Sequence, residues 1–264
     1  MNYKIAFLVL SCDKYSDLWE YFAQLFNRYW QDCPFDKYFA TNQITFDKYG
    51  FQSILIGEDK TWSMGLDTVL SLLQKKYDYV LITLEDLFIM KKVDTPFVIN
   101  CINEFIENNG NYLKFYTKTK ILKTNNNNIS AYDYNVPYRH NCVYALWKIE
   151  TLHQVLSPNE NAWEFEKTGA NRTASMDGFF YSNRNAFVIS NTVVKGKWVL
   201  RELNKIKTEI PNIVINRSIL SKREERKLYL YEKLFYIFLV YLPNPVKILL
   251  LKNWYRCFRH WDYK

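Results

Sequence analysis

YVLITLEDLFIM, residues 79–90, is an almost continuous run of aliphatic and aromatic residues, interrupted by Thr83 and by two adjacent acids, Glu85 and Asp86. Such a run is typical of a strand that is covered on both faces, as in parallel sheets flanked by helices. In sheets of this kind, ligands bind at the carboxyl ends of the strands. We therefore interpret the stretch as a core strand that delivers two carboxylates to a ligand-binding edge; the alternative is a pair of acids at the surface rim that caps the next turn.

Strand and helix patterns alternate on the amino-terminal side of this stretch. In chain order we predict a strand at 4–11, a helix at 17–30 capped by Ser16, strands at 37–42 and 51–57, and a helix capped by Ser63. The apolar positions of the two helices recur at intervals of three and four residues, whereas KIAFLVLS (4–11) is continuously apolar. This order indicates an α/β fold with an open, mostly parallel sheet and helices on both faces.

The alternation continues on the carboxyl-terminal side. We predict a helix at 98–108 that begins at Asp94-Thr-Pro, strands at 111–117 and 142–148, a helix at 149–156, a loop at 118–140 and an irregular acidic segment at 157–170. Proline in the first turn favours the first of these helices. The loop contains a run of four asparagines (125–128).

Composition indicates a folded intracellular protein. The chain has 264 residues, of which 48% are hydrophobic, enough for a large core. Its five cysteines are scattered without a C-x-x-C pair, which argues against a disulfide framework or a zinc ribbon and favours a reducing cytosol. The first residues resemble a strand rather than a signal peptide, so we expect a cytoplasmic protein.

Positive charge is concentrated near the carboxyl terminus. Residues 195–264 carry 16 of the 35 Lys and Arg residues but only 6 of the 27 acids. The apolar stretches at 228–242 and 246–261 are each shorter than the roughly 18–20 residues that a spanning helix needs. We predict that residues 222–264 lie on an anionic membrane surface, the alternative being a helical cap on the core.

Several functional classes lack their motifs. The sequence contains neither G-x-G-x-x-G nor G-x-x-x-x-G-K-[ST], and it lacks the G-x-S-x-G elbow of many hydrolases. Its three histidines, His140, His153 and His260, are isolated. These absences argue against a dinucleotide cofactor, a P-loop NTPase and a histidine-based metal site.

Eight motifs follow one another along the chain: SCDKYSDLWEYF (11–22), RYWQDCPF (28–35), FATN (39–42), WSMGL (62–66), LEDLF (84–88), ALWKIETL (145–152), WEFEKTG (163–169) and VVKGKW (193–198). This ordered set resembles bacterial glycosyltransferases of polysaccharide biosynthesis, of the capsule or O-antigen type, with the nucleotide-sugar-binding A-type (GT-A) fold. The resemblance covers about residues 1–200. We accordingly predict a GT-A-like catalytic domain at 1–200 and a helical basic extension at 201–264.

The resemblance implies a nucleotide-sugar donor that lies over the strand ends. The implied donor-binding residues are Ser11, Asp13, Asn42, Trp62, Ser63, Glu85 and Asp86. The acid pair takes the place of the family's D-x-D metal motif, but the two acids are adjacent and Leu87 stands where a further acid is often found. If Mg²⁺ or Mn²⁺ binds, Asp86 is the first expected ligand, and Glu85 is either an auxiliary ligand or an acceptor for sugar hydroxyls.

The same resemblance suggests residues for the chemical step. Transfer with inversion needs a base for the acceptor hydroxyl, and WEFE (163–166) matches the segment that supplies it in related transferases. Glu164 is the first candidate, followed by Glu166 and Asp177; the alternative for WEFE is that its two acids lie in the first turn of a helix. Lys195, Lys197 and Arg201 are expected to bind the donor diphosphate, unless VVKGKW is simply a solvated hairpin.

The predicted function is therefore transfer of a sugar from a nucleotide-sugar donor to a glycan or a lipid-linked saccharide, with inversion, at the inner face of the cytoplasmic membrane. A sugar nucleotidyltransferase is an alternative, although SCDKY lacks the glycine and arginine of that class's phosphate loop. A nucleic-acid or membrane-surface binding module is another. No nucleic-acid partner is expected, because residues 1–194 are slightly acidic overall.

Overall fold

The computed structural model describes residues 3–58, 61–115, 127–134, 136, 138–243, 245–247 and 249–250. The strands are β1 (Ile5–Leu10), β2 (Asp36–Thr41), β3 (Phe51–Leu55), β4 (Tyr79–Leu84), β5 (Leu87–Ile89), β6 (Tyr112–Lys114), β7 (Ile129–Ala131), β8 (Ala145–Lys148), β9 (Phe179–Ser182), β10 (Ile189–Asn191), β11 (Val193–Val194) and β12 (Lys197–Trp198). The helices are α1 (Ser16–Tyr29), α2 (Trp62–Leu73), α3 (Thr95–Glu107), α4 (Ile149–Val155), α5 (Ala162–Arg172), α6 (Leu200–Glu209) and α7 (Lys222–Tyr241), and a 3₁₀ turn (Asp13–Tyr15) precedes α1.

Eight strands form the central sheet, in the order β3-β2-β1-β4-β8-β6-β9-β7. Strands β1 to β4 are mutually parallel, and β6 is parallel to β9. Strand β8 runs antiparallel to both of its neighbours, β4 and β6, and β7 runs antiparallel to β9. The predicted fold class, an open and mostly parallel α/β sheet flanked by helices, is confirmed.

Helices cover both faces of this sheet, and each face has its own hydrophobic cluster. One cluster joins β1 and β4 to α1, α3 and α6, with Phe7 and Trp30 at its centre. The other joins the opposite face of the same strands to α2, α4 and α5, with Trp147 and Phe165 inside it. Because successive side chains of a strand point to opposite faces, a strand buried on both faces must be apolar throughout, as β1 is.

Two predicted helix caps are wrong in detail. Ser16 is the first helical residue of α1, because the 3₁₀ turn runs directly into the helix. Thr61, not Ser63, caps α2 by accepting a hydrogen bond from the Met64 amide at 3.2 Å. The predicted start of α3 is confirmed: the Asp94 carboxylate accepts from the Phe97 amide at 3.1 Å, with proline in the first turn.

Two segments expected to lack regular structure contain elements. Strand β7 lies within the predicted loop 118–140 and pairs with β9 as the edge strand of the sheet. Helix α5 occupies most of the segment 157–170, where an irregular chain was expected. Its start is fixed by a capping box, in which Asn161 and Glu164 each accept a hydrogen bond from the other's amide, at 2.9 and 3.0 Å. Part of the predicted loop, including Asn125 and Asn126, lies outside the described residues.

The predicted boundary at residue 200 falls inside packed structure. Leu203 and Ile206 of α6 are fully buried in the cluster that contains β1 and α1. Arg28 of α1 forms an ion pair with Glu209 at the end of α6, at 2.8 Å. Helix α6 and the chain that follows it to Ile213 therefore pack into the main core. Leu228 of α7 lies in a separate, smaller cluster with Val194, Val199 and Leu220. Among the helices of the described residues, none has the length and apolar character needed to span a bilayer.

Candidate active site

The acid pair Glu85-Asp86 forms the turn between β4 and β5, at the carboxyl end of the central parallel strands. Thr192, which follows β10, holds this turn: its amide and its hydroxyl both donate to the Asp86 carbonyl oxygen at 3.0 Å. Strand β5 then pairs antiparallel with β10 in a small separate sheet. The pair is thus held by long-range hydrogen bonds, and it is not a flexible feature of the rim.

Both acids are in surroundings that disfavour the charged form. Glu85 is only 7% exposed. Burial raises the pKa of Asp86 to about 7, and burial together with the neighbouring Asp86 charge raises the pKa of Glu85 well above its ordinary value. The Oδ1 atom of Asp86 is buried and has no hydrogen-bond partner among the described residues. Binding of a cation, or protonation of one carboxylate, would remove the electrostatic cost of two neighbouring negative charges at this position.

Ser11, directly after β1, lies beside the acid pair. Its hydroxyl accepts a hydrogen bond from the Trp19 indole nitrogen at 2.7 Å. The Ser11 hydroxyl donates to the Cys12 carbonyl oxygen at 3.4 Å, and its nearness to Glu85 partly opposes the increase in the Glu85 pKa. Trp19 therefore fixes the position of a hydroxyl at the strand-end edge.

Asp13 and Asn42 join the ends of β1 and β2. The Asp13 amide donates to the Asn42 side chain at 3.1 Å, and the Asn42 amide donates to the Asp13 carboxylate at 3.0 Å. The same carboxylate also accepts from the amides of Gln43 and Ile44. Asn42 Nδ2 donates to the Gly57 carbonyl at 3.0 Å, which ties in the chain after β3. These two predicted donor-site residues shape the edge through backbone contacts.

Arg217 lies close enough to the acid pair for its charge to act on both carboxyl groups. Its guanidinium makes a bidentate contact with Asp17, at 2.7 and 2.6 Å, and donates to the Lys14 carbonyl oxygen at 2.6 Å. The guanidinium also stacks on the Tyr15 ring, 4.3 Å from its centroid. The positive charge of Arg217 opposes the increases in the pKa values of Glu85 and Asp86. Sequence reasoning missed Arg217, because it lies beyond the region of resemblance, in the connection between α6 and α7.

The segment VVKGKW forms a β-hairpin, β11–β12, with Lys195 and Gly196 at its turn. Both turn residues have positive φ, +54° and +70°. A Cβ atom built on Gly196 would lie 3.9 Å from Nη1 of Arg217, so the turn is next to the guanidinium. The hairpin therefore borders the site.

The other two predicted diphosphate ligands contact α7. Lys197 forms an ion pair with Glu224 at 2.8 Å. Arg201 forms ion pairs with Glu232 at 2.7 Å and with Glu202 at 3.1 Å. In the structure these two cations join the hairpin and α6 to α7.

Trp62 and Ser63 contact α5 and the segment before it. The Trp62 ring lies 5.5 Å from the Phe165 ring. The Ser63 hydroxyl donates to the Glu160 carbonyl oxygen at 2.8 Å in a buried position. Both residues thus hold α5 against the start of α2.

Glu166 lies at the same edge of the sheet as the acid pair. In the β4–β8 register, Ile82 lies opposite Ala145, so the residues just before Ala145 extend past the carboxyl end of β4. The Tyr144 hydroxyl accordingly donates to the Leu87 carbonyl oxygen at 2.9 Å, and the Cys142 amide donates to the Glu166 carboxylate at 3.1 Å. Burial raises the pKa of Glu166 to about 7, against smaller opposing effects of the Cys142 amide and of Lys114.

Glu164 and Asp177 have structural partners. Glu164 is exposed and completes the capping box of α5, as the alternative interpretation of WEFE expected. Asp177 accepts a hydrogen bond from the Tyr134 hydroxyl, and its carbonyl oxygen accepts from the Asn111 side chain at 3.0 Å. Of the three candidate bases, Glu166 is the one whose contacts connect it to the chain beside the end of β4.

The acid pair suits a divalent cation only with help from a substrate. Within the part of the chain that the structure describes, no three His, Cys, Asp or Glu side chains are grouped closely enough to hold a metal ion. Mg²⁺ commonly binds through one or two carboxylates together with substrate phosphates. Asp86, with its unpartnered buried oxygen, and Glu85 fit that arrangement.

Comparisons with known proteins give structural similarity only. No protein-family model and no curated protein matches the sequence. The crystal structure of S. aureus TarS is 13% identical, with a TM-score of 0.43, over 89% of this chain and 43% of that chain. The structure of TarS residues 1–349 is 13% identical, with a TM-score of 0.44, over 89% of this chain and 72% of that chain.

A third similar structure is A197 from STIV, 13% identical with a TM-score of 0.40, over 70% of this chain and 84% of that chain. This chain spans less than half the length of the first TarS structure. The fold assignment therefore rests on the strand order and register of this chain itself.

Proposed function

We propose that the chain is a glycosyltransferase that moves a sugar from a nucleotide-sugar donor to a glycan or a lipid-linked saccharide in surface polysaccharide biosynthesis. The observation that carries the proposal is the arrangement at the carboxyl end of β4, where buried Glu85 and half-buried Asp86 lie within electrostatic reach of the fixed guanidinium of Arg217. Ligands of open α/β sheets bind at this edge. The ordered motifs described for residues 1–200 support the same class of reaction.

Arg217 is proposed to bind the donor diphosphate. A guanidinium presents several donors in one plane, which suits phosphate oxygens. Asp17 holds Nε and Nη2, so the orientation of the group is set before the donor arrives. A fixed cation stabilises the charge that develops on a departing diphosphate more effectively than a mobile one.

Asp86, assisted by Glu85, would hold a divalent cation if the reaction uses one. A bound Mg²⁺ or Mn²⁺ would supply additional positive charge for the diphosphate. Cation binding would also favour the charged form of two acids whose pKa values burial has raised. Metal binding and donor binding are therefore expected to depend on each other.

Glu166 is proposed to be the general base of an inverting transfer. The acceptor oxygen forms a bond to the anomeric carbon while the bond from that carbon to the diphosphate oxygen breaks, and the diphosphate leaves with the bonding electron pair. The proton of the acceptor hydroxyl passes to the Glu166 carboxylate. A base with a pKa of about 7 suits this role at neutral pH. Glu164, the first candidate from the sequence, is assigned to the helix cap instead.

A thermal-shift screen tests this function. Nucleotide sugars and nucleoside diphosphates would be added to the purified protein, each with and without Mg²⁺ or Mn²⁺. A ligand that binds only the folded state raises the unfolding temperature. We expect at least one nucleotide sugar to stabilise the wild type and to stabilise Arg217→Gln much less. If none stabilises the wild type, the proposal fails.

A further inference from the structure

The acidic residues of α7 are all turned toward the rest of the protein. Glu224 pairs with Lys197 at 2.8 Å, and Glu232 pairs with Arg201 at 2.7 Å. Glu225 accepts a hydrogen bond from the Arg201 amide at 3.2 Å. The negative charges of this helix are thus neutralised on the side that contacts the hairpin and α6.

The inner side of α7 is also apolar. Leu228 is buried with Val194, Val199 and Leu220. Further along, the Phe235 ring lies 5.2 Å from the Tyr138 ring, and Phe238 is only 2% exposed. These contacts fix which side of the helix faces outward.

The outer face of α7 is both basic and apolar. We define it by eight residues of the helix: Arg223, Arg226, Lys227, Leu230, Lys233, Leu234, Ile237 and Tyr241. All eight are exposed, and Leu230 and Tyr241 are 55% and 67% exposed. Leu230, Leu234, Ile237 and Tyr241 follow one another at intervals of four and three residues, so they form a single stripe. The helix carries no acid on this face, because each acid is paired on the inner side.

We propose that the outer face of α7 binds the surface of an anionic lipid bilayer, with the helix axis parallel to the membrane plane. Such helices insert their apolar stripe at the boundary between headgroups and acyl chains while the flanking Lys and Arg residues contact anionic headgroups. A second copy of the chain is a poorer partner, because a symmetric contact would bring the same basic residues together. A nucleic acid would leave the aliphatic residues of the stripe without suitable partners.

Vesicle co-sedimentation of the full chain tests the proposal without any measurement of activity. The wild type is expected to bind vesicles of phosphatidylglycerol and phosphatidylcholine in equal parts and to bind pure phosphatidylcholine weakly. Arg226→Gln/Lys227→Gln should weaken binding to the anionic vesicles about 30-fold, since each basic residue near the surface contributes about 1 kcal/mol. Leu230→Gln/Ile237→Gln should weaken binding about tenfold or more.

A matched control separates this face from net charge alone. Lys91 and Lys92 are adjacent, exposed residues between β5 and α3. Lys91→Gln/Lys92→Gln therefore removes the same charge from a surface outside α7. The control should bind like the wild type, and all variants should keep the wild-type unfolding temperature. Equal loss in the control, equal binding to neutral vesicles, no vesicle binding, or a stable dimer that Leu230→Gln/Ile237→Gln dissociates would each overturn the proposal.

Discussion

Arg217 donates two hydrogen bonds to the carboxylate of Asp17, from Nε at 2.7 Å and from Nη2 at 2.6 Å, although 200 residues separate them in the chain. The contact connects the segment after α6 to the start of α1. It also sets the orientation in which the remaining guanidinium nitrogen, Nη1, lies beside the hairpin turn. The position of the proposed diphosphate ligand therefore depends on a residue that need not touch the donor.

Replacement of Arg217 should impair transfer more than replacement of its partner. Arg217→Gln is expected to lower kcat/KM about 10²-fold, because it removes a cation that stabilises the leaving diphosphate. Arg217→Lys should lose less, since it keeps the charge but not the planar bidentate contact. Asp17→Asn should have the smallest effect. Steady-state kinetics and donor calorimetry would measure the order, and an unchanged kcat/KM in Arg217→Gln would remove this residue from the site.

Substitution of Glu166 and of Glu164 by glutamine should distinguish the general base from the residue that caps α5. Glu166→Gln is expected to lower kcat by about 10²–10⁴-fold while donor affinity is retained, because only proton transfer is lost. Glu164→Gln should keep its activity and lose no more than about 0.5 kcal/mol of stability, since glutamine also serves in a capping box. Rate assays and calorimetric titration of the donor distinguish the two. If Glu164→Gln is the inactive variant, the roles are reversed.

The pH dependence of both rate and stability should report Glu166. Transfer needs its deprotonated form, so kcat should rise as the pH increases through about 7 and then level off. Between pH 4.5, the ordinary glutamate pKa, and about pH 7, the Glu166 carboxyl group is protonated in the folded protein. In the unfolded chain it is already deprotonated over this range. The free energy of unfolding should therefore fall as the pH rises through that range.

Urea unfolding of the wild type and Glu166→Gln across this range would isolate the contribution of the single residue. The wild type should lose about 1–2 kcal/mol more than the variant, a value reduced because the side chain is partly accessible to solvent. Parallel curves for the two proteins would show that Glu166 titrates normally.

Asp86→Asn should weaken metal binding without lowering the stability of the fold. The variant is expected to be at least as stable as the wild type at neutral pH, because it removes a half-buried acid whose pKa is raised to about 7. It should also lose any extra thermal stabilisation that Mg²⁺ or Mn²⁺ gives in the presence of a nucleoside diphosphate. Asp32→Asn, in an exposed turn, is the matched control. A metal-dependent shift that persists in Asp86→Asn would exclude this carboxylate as a ligand.

The sequence predicts the central part of the fold well and its periphery less well. Strand β1 and helix α1 were predicted within one or two residues, because a continuous apolar run and a clear apolar stripe identify them. Helix α5 was expected only in the alternative interpretation of WEFE, because Phe165 and Gly169 are its only buried residues, which leaves no apolar stripe. Strand β7 was missed because three residues at a sheet edge carry almost no periodic signal.

The same contrast applies to the site. The rule that ligands bind at strand ends led to the acid pair, and the family resemblance implied Ser11, Asp13 and Asn42. The structure brings these five residues to one edge of the sheet. No local pattern identifies Arg217, whose role depends on a contact with Asp17 across most of the chain. The choice between Glu164 and Glu166 was equally hidden, because it depends on which acid closes the helix cap and which accepts from Cys142.

The contact between Asp17 and Arg217 also has a consequence for biosynthesis. A ribosome releases α1 long before it releases Arg217, so the early strands and helices can assemble while the strand-end edge still lacks its cation. Contacts between distant parts of a chain form late, because closing a long loop costs entropy. We therefore expect a nascent chain to assemble β1 to β4 with α1 before the segment that carries Arg217 completes the site.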